Sequence, residues 1–211
     1  MGDRFDRFPG FDAVSEWRDW DTATVGTVLA RLGAPPPMRL FTVEEQATGT
    51  ALCDRLLDLE DACPVPVLAM IDSRLAEAET DGWRYEDMPE DGRAWRASLA
   101  ALDADAAEHH GGSFATRTRD QQTSVIQAVQ DLGSKPWHGL PATHVWSLWT
   151  RYACTAFYSH PAAWNEIGFP GPAYPRGYKN LGVDARDPRE TPDAHPALDP
   201  IRADARDGGR A

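Results

Sequence analysis

The chain has 211 residues, of which 42% are hydrophobic, and carries a formal net charge of −12 at pH 7. This length predicts one domain with tails or two small domains, with enough apolar residues for a core. The acidic balance disfavours nucleic acid and anionic membranes as partners, because both repel negative charge. The sequence has no apolar run of about 18 residues, so membrane insertion is not expected.

Residues 1–38 predict an N-terminal arm that contains one short helix. The arm is charged yet aromatic, whereas disordered tails are usually poor in aromatic residues. It is therefore expected either to wrap the following domain or to bind a partner. Its aromatic residues are Phe5, Phe8, Phe11, Trp17 and Trp20.

The N-terminus shows neither the apolar core of a secretory signal nor a twin-arginine pair. Three scattered cysteines are too few for a disulfide framework or a zinc site. Both features predict a cytoplasmic protein in a reducing compartment. Export together with a partner that carries its own signal remains an open alternative.

About five helices are predicted within a domain of residues 39–181, forming a compact all-α bundle with few or no strands. The first begins at Thr42, where Thr42 and Glu45 have the spacing of a capping box. The second follows Pro64 and Pro66, because proline suits a first helical turn. The third begins near residues 88–90.

The third helix is expected to end at Gly111, and the fourth to begin with a second capping box, formed by Thr118 and Gln121. The fifth follows Pro141 and is apolar over more than half of its circumference, which predicts a central position. Pro161 is expected to end this last helix.

An irregular loop rich in proline, glycine and aromatic residues is predicted to follow Pro161 and to extend to Leu181. Proline removes backbone donors and fixes φ, which disfavours regular structure. The large rings of the loop should pack on something, either this domain or another protein. Residues 182–211 lack aromatic residues and predict a disordered tail. The rings are Trp164, Phe169, Tyr174 and Tyr178.

Signatures of common catalytic sites are absent from the sequence. It contains no dinucleotide-binding or phosphate-binding glycine loop and no hydrolase nucleophile elbow. Glu108, His109 and His110 are adjacent on a helix, so their side chains diverge and favour a polar helix end over a metal site. We therefore assign no catalytic, cofactor-binding or metal-binding residue to this chain.

Three residues nevertheless support an alternative, a stand-alone helical enzyme or a small-molecule-binding domain. His144 could act as a base, but its orienting partner is not evident from the sequence. His160 is interpreted as a helix-stop residue, either capping or contacting a partner. Asn165 and Glu166 are interpreted as a turn, unless Glu166 is buried with a raised pKa.

Four segments, in this order, resemble the gluconate 2-dehydrogenase subunit 3 family. The last is the most specific, because it resembles that family's F-F-S-[DH]-P and I-G-[FY]-P-G-P motifs. The segments are Phe41–Ala47 with Leu52–Leu57; Ile71–Asp72 with Leu75; Trp95–Asp103 with Gly112–Ala115 and Asp120–Gln122; and Phe157–Pro161 with Ile167–Pro172.

This resemblance implies a non-catalytic small subunit of a flavin-dependent oxidoreductase complex. FAD and the substrate site would lie in a large subunit of the glucose-methanol-choline type, acting on a sugar, glycoside or other alcohol. A cytochrome or another acceptor would take the electrons. The small subunit would stabilise, assemble or help to export the large one. Many members begin with a twin-arginine signal, which this sequence lacks, so the export role is in doubt.

The expected interface with the large subunit combines the aromatic arm and the loop. Buried aromatic anchors dominate many interfaces, so truncating Trp164 and Phe169 together is expected to release the large subunit. The expected contact residues are Phe5, Phe8, Phe11, Trp17, Trp20, His160, Trp164, Phe169, Pro170, Tyr174 and Tyr178.

Overall fold

A computed structural model of the chain describes residues 8, 10–59 and 63–173. Most of this part is helical, which confirms the predicted all-α class. The β-structure of the described residues is one short antiparallel hairpin of β1 (Pro136–Trp137) and β2 (Leu140–Pro141). The described residues contain no helix with the length and apolar content needed to cross a membrane.

The chain divides into two compact units. The terminal unit takes its described residues from both ends of the chain, namely residues 8, 10–34 and 158–173. The central unit covers Pro35–Phe157. The arm and the residues after the last long helix therefore share a unit, although the whole central unit separates them in the sequence.

The terminal unit contains a 3-10 helix (Ala13–Asp19) and two α-helices, α1 (Thr22–Arg31) and α7 (Pro161–Ile167). Aspartates open the first two of these elements. The carboxylate of Asp12 accepts from Val14 N at 3.0 Å, and that of Asp21 accepts from Thr24 N at 2.8 Å. Such N-caps satisfy backbone donors that the helix itself leaves unpaired.

Among the described residues of the central unit, five α-helices follow the predicted order, and a 3-10 helix (Phe114–Thr116) precedes the fourth. The last residue of the fifth α-helix already belongs to the terminal unit. The capping boxes predicted at Thr42 and Glu45 and at Thr118 and Gln121 are both present. The helices are α2 (Val43–Leu56), α3 (Val67–Ala76), α4 (Asp91–His110), α5 (Arg119–Asp131) and α6 (Ala142–Tyr158).

The core of the central unit forms where α2 packs against α3, α4 and α5. Helix α6 is tied to α4 by two hydrogen bonds from buried aromatic side chains. Trp149 Nε1 donates to Ser98 Oγ at 2.9 Å, and the Tyr152 hydroxyl donates to Asp91 Oδ2 at 2.6 Å. Both rings are almost fully buried, so the apolar circumference of α6 serves a packing role.

The prediction of an irregular chain immediately after Pro161 is wrong, because Pro161–Ile167 is helix α7. Pro161 occupies the first turn, where a missing N–H costs nothing, and the preceding His160 side chain caps the helix. The predicted turn at Asn165 and Glu166 is therefore also wrong. Gly168 ends α7 with φ 67°, a left-handed conformation that favours glycine.

Part of the expected interface lies outside the described residues, namely Phe5, Tyr174 and Tyr178. The predicted tail 182–211 also lies outside them.

Candidate functional site

Aromatic residues from the two chain ends pack against each other in the terminal unit. The rings of Trp20 and Trp164 meet edge to face with centroids 6.3 Å apart, and those of Trp164 and Phe169 do so at 5.5 Å. Ala13 and Val28 complete the buried part of this cluster. Edge-to-face pairs add about 0.5–1.5 kcal/mol each beyond the burial of apolar area.

Polar contacts join the same two chain ends. Asn165 Oδ1 accepts from Ala13 N at 2.8 Å, and this bond spans 152 positions of sequence. Arg31 donates to the Ser159 carbonyl at 2.7 Å. Each bond satisfies a backbone group at a helix end, so the arm is held in place by specific bonds as well as by apolar packing.

Two glycines allow rings of the arm to lie directly on the chain after α7. A Cβ on Gly168 would lie 3.0 Å from Cζ of Phe8, and one on Gly171 would overlap Cζ2 of Trp20. Gly171 also has φ 83°, which disfavours other residues. The I-G-F-P-G-P segment therefore supplies both the backbone conformation and the space that the arm requires.

His160 is buried, with 4% of its surface exposed, and its Nδ1 accepts from Ala162 N at 3.2 Å. Burial lowers the pKa of His160 from its usual 6.5. A hydrogen bond with the backbone of Arg31 opposes this shift, and the positive charge of Arg31 adds to it. The ring therefore acts as a neutral N-cap in this structure.

Most of the expected interface residues that the structure describes face the interior of this chain. Trp17 is the exception, with 44% of its surface exposed. Phe11 and Phe169 are half-buried. The buried members are Phe8, Trp20, His160, Trp164 and Pro170.

Other apolar side chains of the terminal unit are exposed, and they are not among the interface residues expected from the sequence. Leu29, Leu32, Tyr158 and Ile167 each expose between 45 and 47% of their surface. Tyr158 and Ile167 belong to the two motifs of the last family-like segment, whereas Leu29 lies in α1 and Leu32 caps its C-terminal end. The packing of the two chain ends determines which apolar residues are buried and which stay exposed.

His144 has the orienting partner that the sequence did not identify. Its Nδ1 lies 2.8 Å from Asp87 Oδ1, and its ring stacks on Tyr85 with centroids 3.7 Å apart. The adjacent cavity holds only about 10 Å³, which is room for about one water molecule. A base and an orienting carboxylate are present, but this cavity does not admit a sugar.

The Glu108-His109-His110 run lies at the C-terminal end of α4, which closes on Gly111 at φ 75°. This agrees with its interpretation as a polar helix end. Among the described residues, no group of three or more His, Cys, Asp or Glu side chains could hold a metal ion.

Two carboxylates, one buried and one half-buried, organise the central unit, although the sequence alone indicated no role for them. Asp72 is fully buried and accepts from the backbone N–H groups of residues 39, 40 and 41 at 2.6–2.9 Å. Asp103 accepts from Phe114 N at 2.8 Å and from the Thr48 hydroxyl. Both residues lie in the segments that carried the family resemblance.

A third polar cluster surrounds Tyr152, whose hydroxyl donates to the buried Asp91. Burial, followed by this hydrogen bond and the charge of Asp91, raises the pKa of Tyr152 well above its usual value of 10. Arg151 lies over the Tyr152 ring and pairs with Asp81 at 2.5 Å. A phenol held in its neutral form serves here as a buried hydrogen-bond donor.

The family model described as Gluconate 2-dehydrogenase subunit 3 matches residues 43–171. The chain belongs to this family. Searches of curated proteins and of solved structures found no match.

Membership of the gluconate 2-dehydrogenase subunit 3 family indicates a subunit of a multi-subunit dehydrogenase complex. The matched range begins at α2 and ends at Gly171. Within it, the motif residues described above cap helices, anchor loops or accommodate the arm. The described geometry thus gives them roles in the fold.

Proposed function

We propose that this chain is the non-catalytic small subunit of a flavin-dependent oxidoreductase complex, and that it stabilises or assembles an FAD-bearing large subunit. The large subunit would be of the glucose-methanol-choline type and would act on a sugar, glycoside or other alcohol. A cytochrome or another acceptor would receive the electrons. Family membership over residues 43–171 is the observation that carries this proposal.

The surroundings of the candidate bases favour a supporting role. His160 uses its Nδ1 lone pair to cap α7, and Glu166 is half-buried in α7, next in sequence to Asn165, which binds the arm. His144 is paired and stacked beside a cavity too small for a sugar. Catalysis by any of these residues would require a substrate within hydrogen-bond reach of the base.

The terminal unit is the proposed contact surface for the large subunit. Its buried rings fix the shape of the unit, while Trp17, Leu29, Leu32, Tyr158 and Ile167 remain exposed. Aromatic and aliphatic anchors of this kind supply much of the binding energy at protein interfaces. A unit that is ordered before docking also loses less entropy on binding.

The experiment that tests the proposal is production of the large subunit with and without this chain. With the chain, the large subunit should co-purify with it, retain FAD and oxidise its substrate. Alone, it should lose FAD, aggregate or unfold at a lower temperature. A large subunit that folds, holds FAD and turns over equally well alone would refute the accessory role.

The alternative of a stand-alone enzyme predicts a different result for the purified chain. Turnover of a sugar or alcohol by this chain alone, abolished by His144→Gln, would favour that alternative.

A further inference from the structure

Helix α1 exposes a face that is centred on Gly26. Residues three and four positions apart lie side by side on a helix, so four residues surround Gly26 on this face. All five are exposed, and Leu29 leaves 47% of its surface open. Val28, on another side of α1, belongs to the buried cluster of the terminal unit. The five residues, which we call the Gly26 face, are Thr22, Ala23, Gly26, Leu29 and Ala30.

The Gly26 face carries no charge. Residues 22–38 contain a single charged residue, Arg31, although 26% of the whole chain is charged. Arg31 lies outside the face and donates to the Ser159 carbonyl at 2.7 Å. The neighbouring Thr27 hydroxyl donates to the Ala23 carbonyl at 3.0 Å, so it is satisfied within the helix. A partner can therefore cover this face without burying an unpaired charge, which would be unfavourable.

Packing within this chain does not explain the glycine at position 26. Gly26 lies in the interior of α1, where glycine is the least favourable residue after proline. In the part of the chain that the structure describes, nothing lies within 4 Å of a Cβ built on Gly26. Gly49, in the interior of α2, differs, because a Cβ there would lie 2.8 Å from Cδ1 of the buried Leu68. Close approach of another molecule would explain Gly26 in the same way.

We propose that an uncharged, apolar segment of the large subunit packs against the Gly26 face and approaches α1 most closely at Gly26. This inference rests on the proposed function and names the point of closest contact on the terminal unit. A protein segment is favoured over a small molecule because a helix face is convex, whereas small-molecule sites are concave. The large subunit is favoured over a second copy because the family indicates a multi-subunit complex and a net charge of −12 opposes self-association.

The Gly26 face is one part of a larger exposed surface of the terminal unit. Helix α1 has ten residues and is about 15 Å long, whereas each partner in a stable complex usually buries about 800 Å². Leu32, which follows α1, and Tyr158 are also exposed. Because Arg31 donates to the Ser159 carbonyl, the end of α1 lies beside Tyr158. The proposed contact therefore extends from α1 toward the end of α6.

The test uses a substitution that should stabilise this chain and weaken the complex. Gly26→Gln introduces a better helix former, so the isolated chain should melt about 1–3 °C higher than the wild type. The new side chain fills the space above α1, so binding of the large subunit should weaken by about tenfold or more. If Gly26 served only the fold of this chain, stability and binding would fall together.

Ala100→Gln is the matched control for Gly26→Gln. Ala100 is exposed on α4, in the central unit, and the substitution introduces the same side chain. This variant should bind the large subunit within about twofold of the wild type. Titration of the large subunit with both variants measures the difference.

A second variant tests whether the covering segment is uncharged. Ala23→Glu places a carboxylate in the first turn of α1, where the helix dipole favours negative charge. The melting temperature should therefore stay within about 2 °C of the wild type. Binding should weaken by about tenfold or more, because the carboxylate would be buried without a partner. This loss should persist at about 1 M salt, which screens charges at a distance but does not remove the desolvation cost.

The outcomes separate this inference from the proposed function. If the wild-type chain does not bind the large subunit, the proposed function fails and this inference fails with it. If the wild type binds and both α1 variants bind equally well, only the inference is overturned. Equal losses in Gly26→Gln and Ala100→Gln would also overturn it, because the effect would not be specific to the Gly26 face. A wild-type dimer in sedimentation, abolished by Gly26→Gln while large-subunit binding is unaffected, would overturn it in favour of a second copy.

Discussion

At the scale of single residues, Gly171 shows how one missing side chain positions the arm. Its φ of 83° would cost another residue about 1–2 kcal/mol. A Cβ would also overlap the buried Trp20 ring, and overpacking adds about 1–3 kcal/mol. Gly171→Ala should therefore destabilise the terminal unit by about 2–5 kcal/mol, measured from hydrogen exchange of the α1 and α7 amides.

Gly10→Ala is the matched control for Gly171→Ala. Gly10 lies in the same unit and has nearly the same φ, 77°, but nothing lies within 4 Å of a Cβ built there. It should show the backbone strain alone, a cost of about 1–2 kcal/mol. Equal costs for the two substitutions would mean that the Trp20 ring does not rest on Gly171.

A second prediction at the residue scale concerns Asp72, which accepts from three consecutive backbone N–H groups before α2. Asp72→Ala should lower the free energy of unfolding by about 3 kcal/mol or more, because it removes the acceptor of one buried and two part-buried backbone donors. Glu108→Ala, the control, removes a carboxylate at an exposed position on α4. It should change the free energy of unfolding by less than about 0.5 kcal/mol. Denaturant unfolding of both variants measures the difference, and similar values would contradict the anchoring role.

At the scale of elements, α7 depends on a histidine cap that must stay neutral. The pKa of His160 is lowered in the folded state by burial, so the unfolded chain binds the proton more readily. Stability is then complete above the unfolded pKa of about 6.5 and falls as the pH drops toward the folded value. Denaturant unfolding of the terminal unit between about pH 7.5 and pH 5 should show this loss.

His160→Asn supplies a cap that does not titrate in this range and should flatten the pH dependence. His109→Asn, at an exposed position on α4, should leave it as in the wild type. An unchanged slope in His160→Asn would assign the pH dependence to another group.

The elements also show how far the sequence predicts the fold. Helices α2 and α5 could be located because a capping box and a helical apolar stripe agree in each. Helix α7 could not, because its proline and the glycines that follow it are typical of loops and its seven residues offer little periodicity. Its cap is a histidine, which lies outside the usual N-cap residues.

The candidate site was predicted less completely for a related reason. The sequence predicted that the aromatic residues of the arm and the loop pack against another surface. It did not show whether that surface belongs to this chain or to another protein. Their partner is the other end of the chain, as the bond between Ala13 and Asn165 illustrates. A contact across 152 positions leaves no local pattern, so no periodicity or capping argument could have found it.

At the scale of the whole molecule, the buried rings change the way in which the proposed interface should be tested. Trp164 is only 4% exposed, so truncating it would first remove packing within the terminal unit. If the Trp164→Ala/Phe169→Ala variant failed to bind the large subunit, the result would not show whether a contact residue was lost or the terminal unit had unfolded. Exposed residues of the same unit are the better probes, because they contribute little to its core.

Trp17→Ala is the sharpest such probe, because Trp17 belongs to the expected interface and exposes 44% of its surface. If the terminal unit contacts the large subunit, the loss of this ring should weaken binding by about tenfold or more, which corresponds to about 1.4 kcal/mol. Trp83→Ala is the control, since Trp83 is 49% exposed but lies in the central unit, and it should bind like the wild type. Titration of the large subunit with each variant, after confirming equal thermal stability, measures the effect. Equal affinities for both variants would remove Trp17 from the interface, whereas a larger loss with Trp83→Ala would move the contact to the central unit.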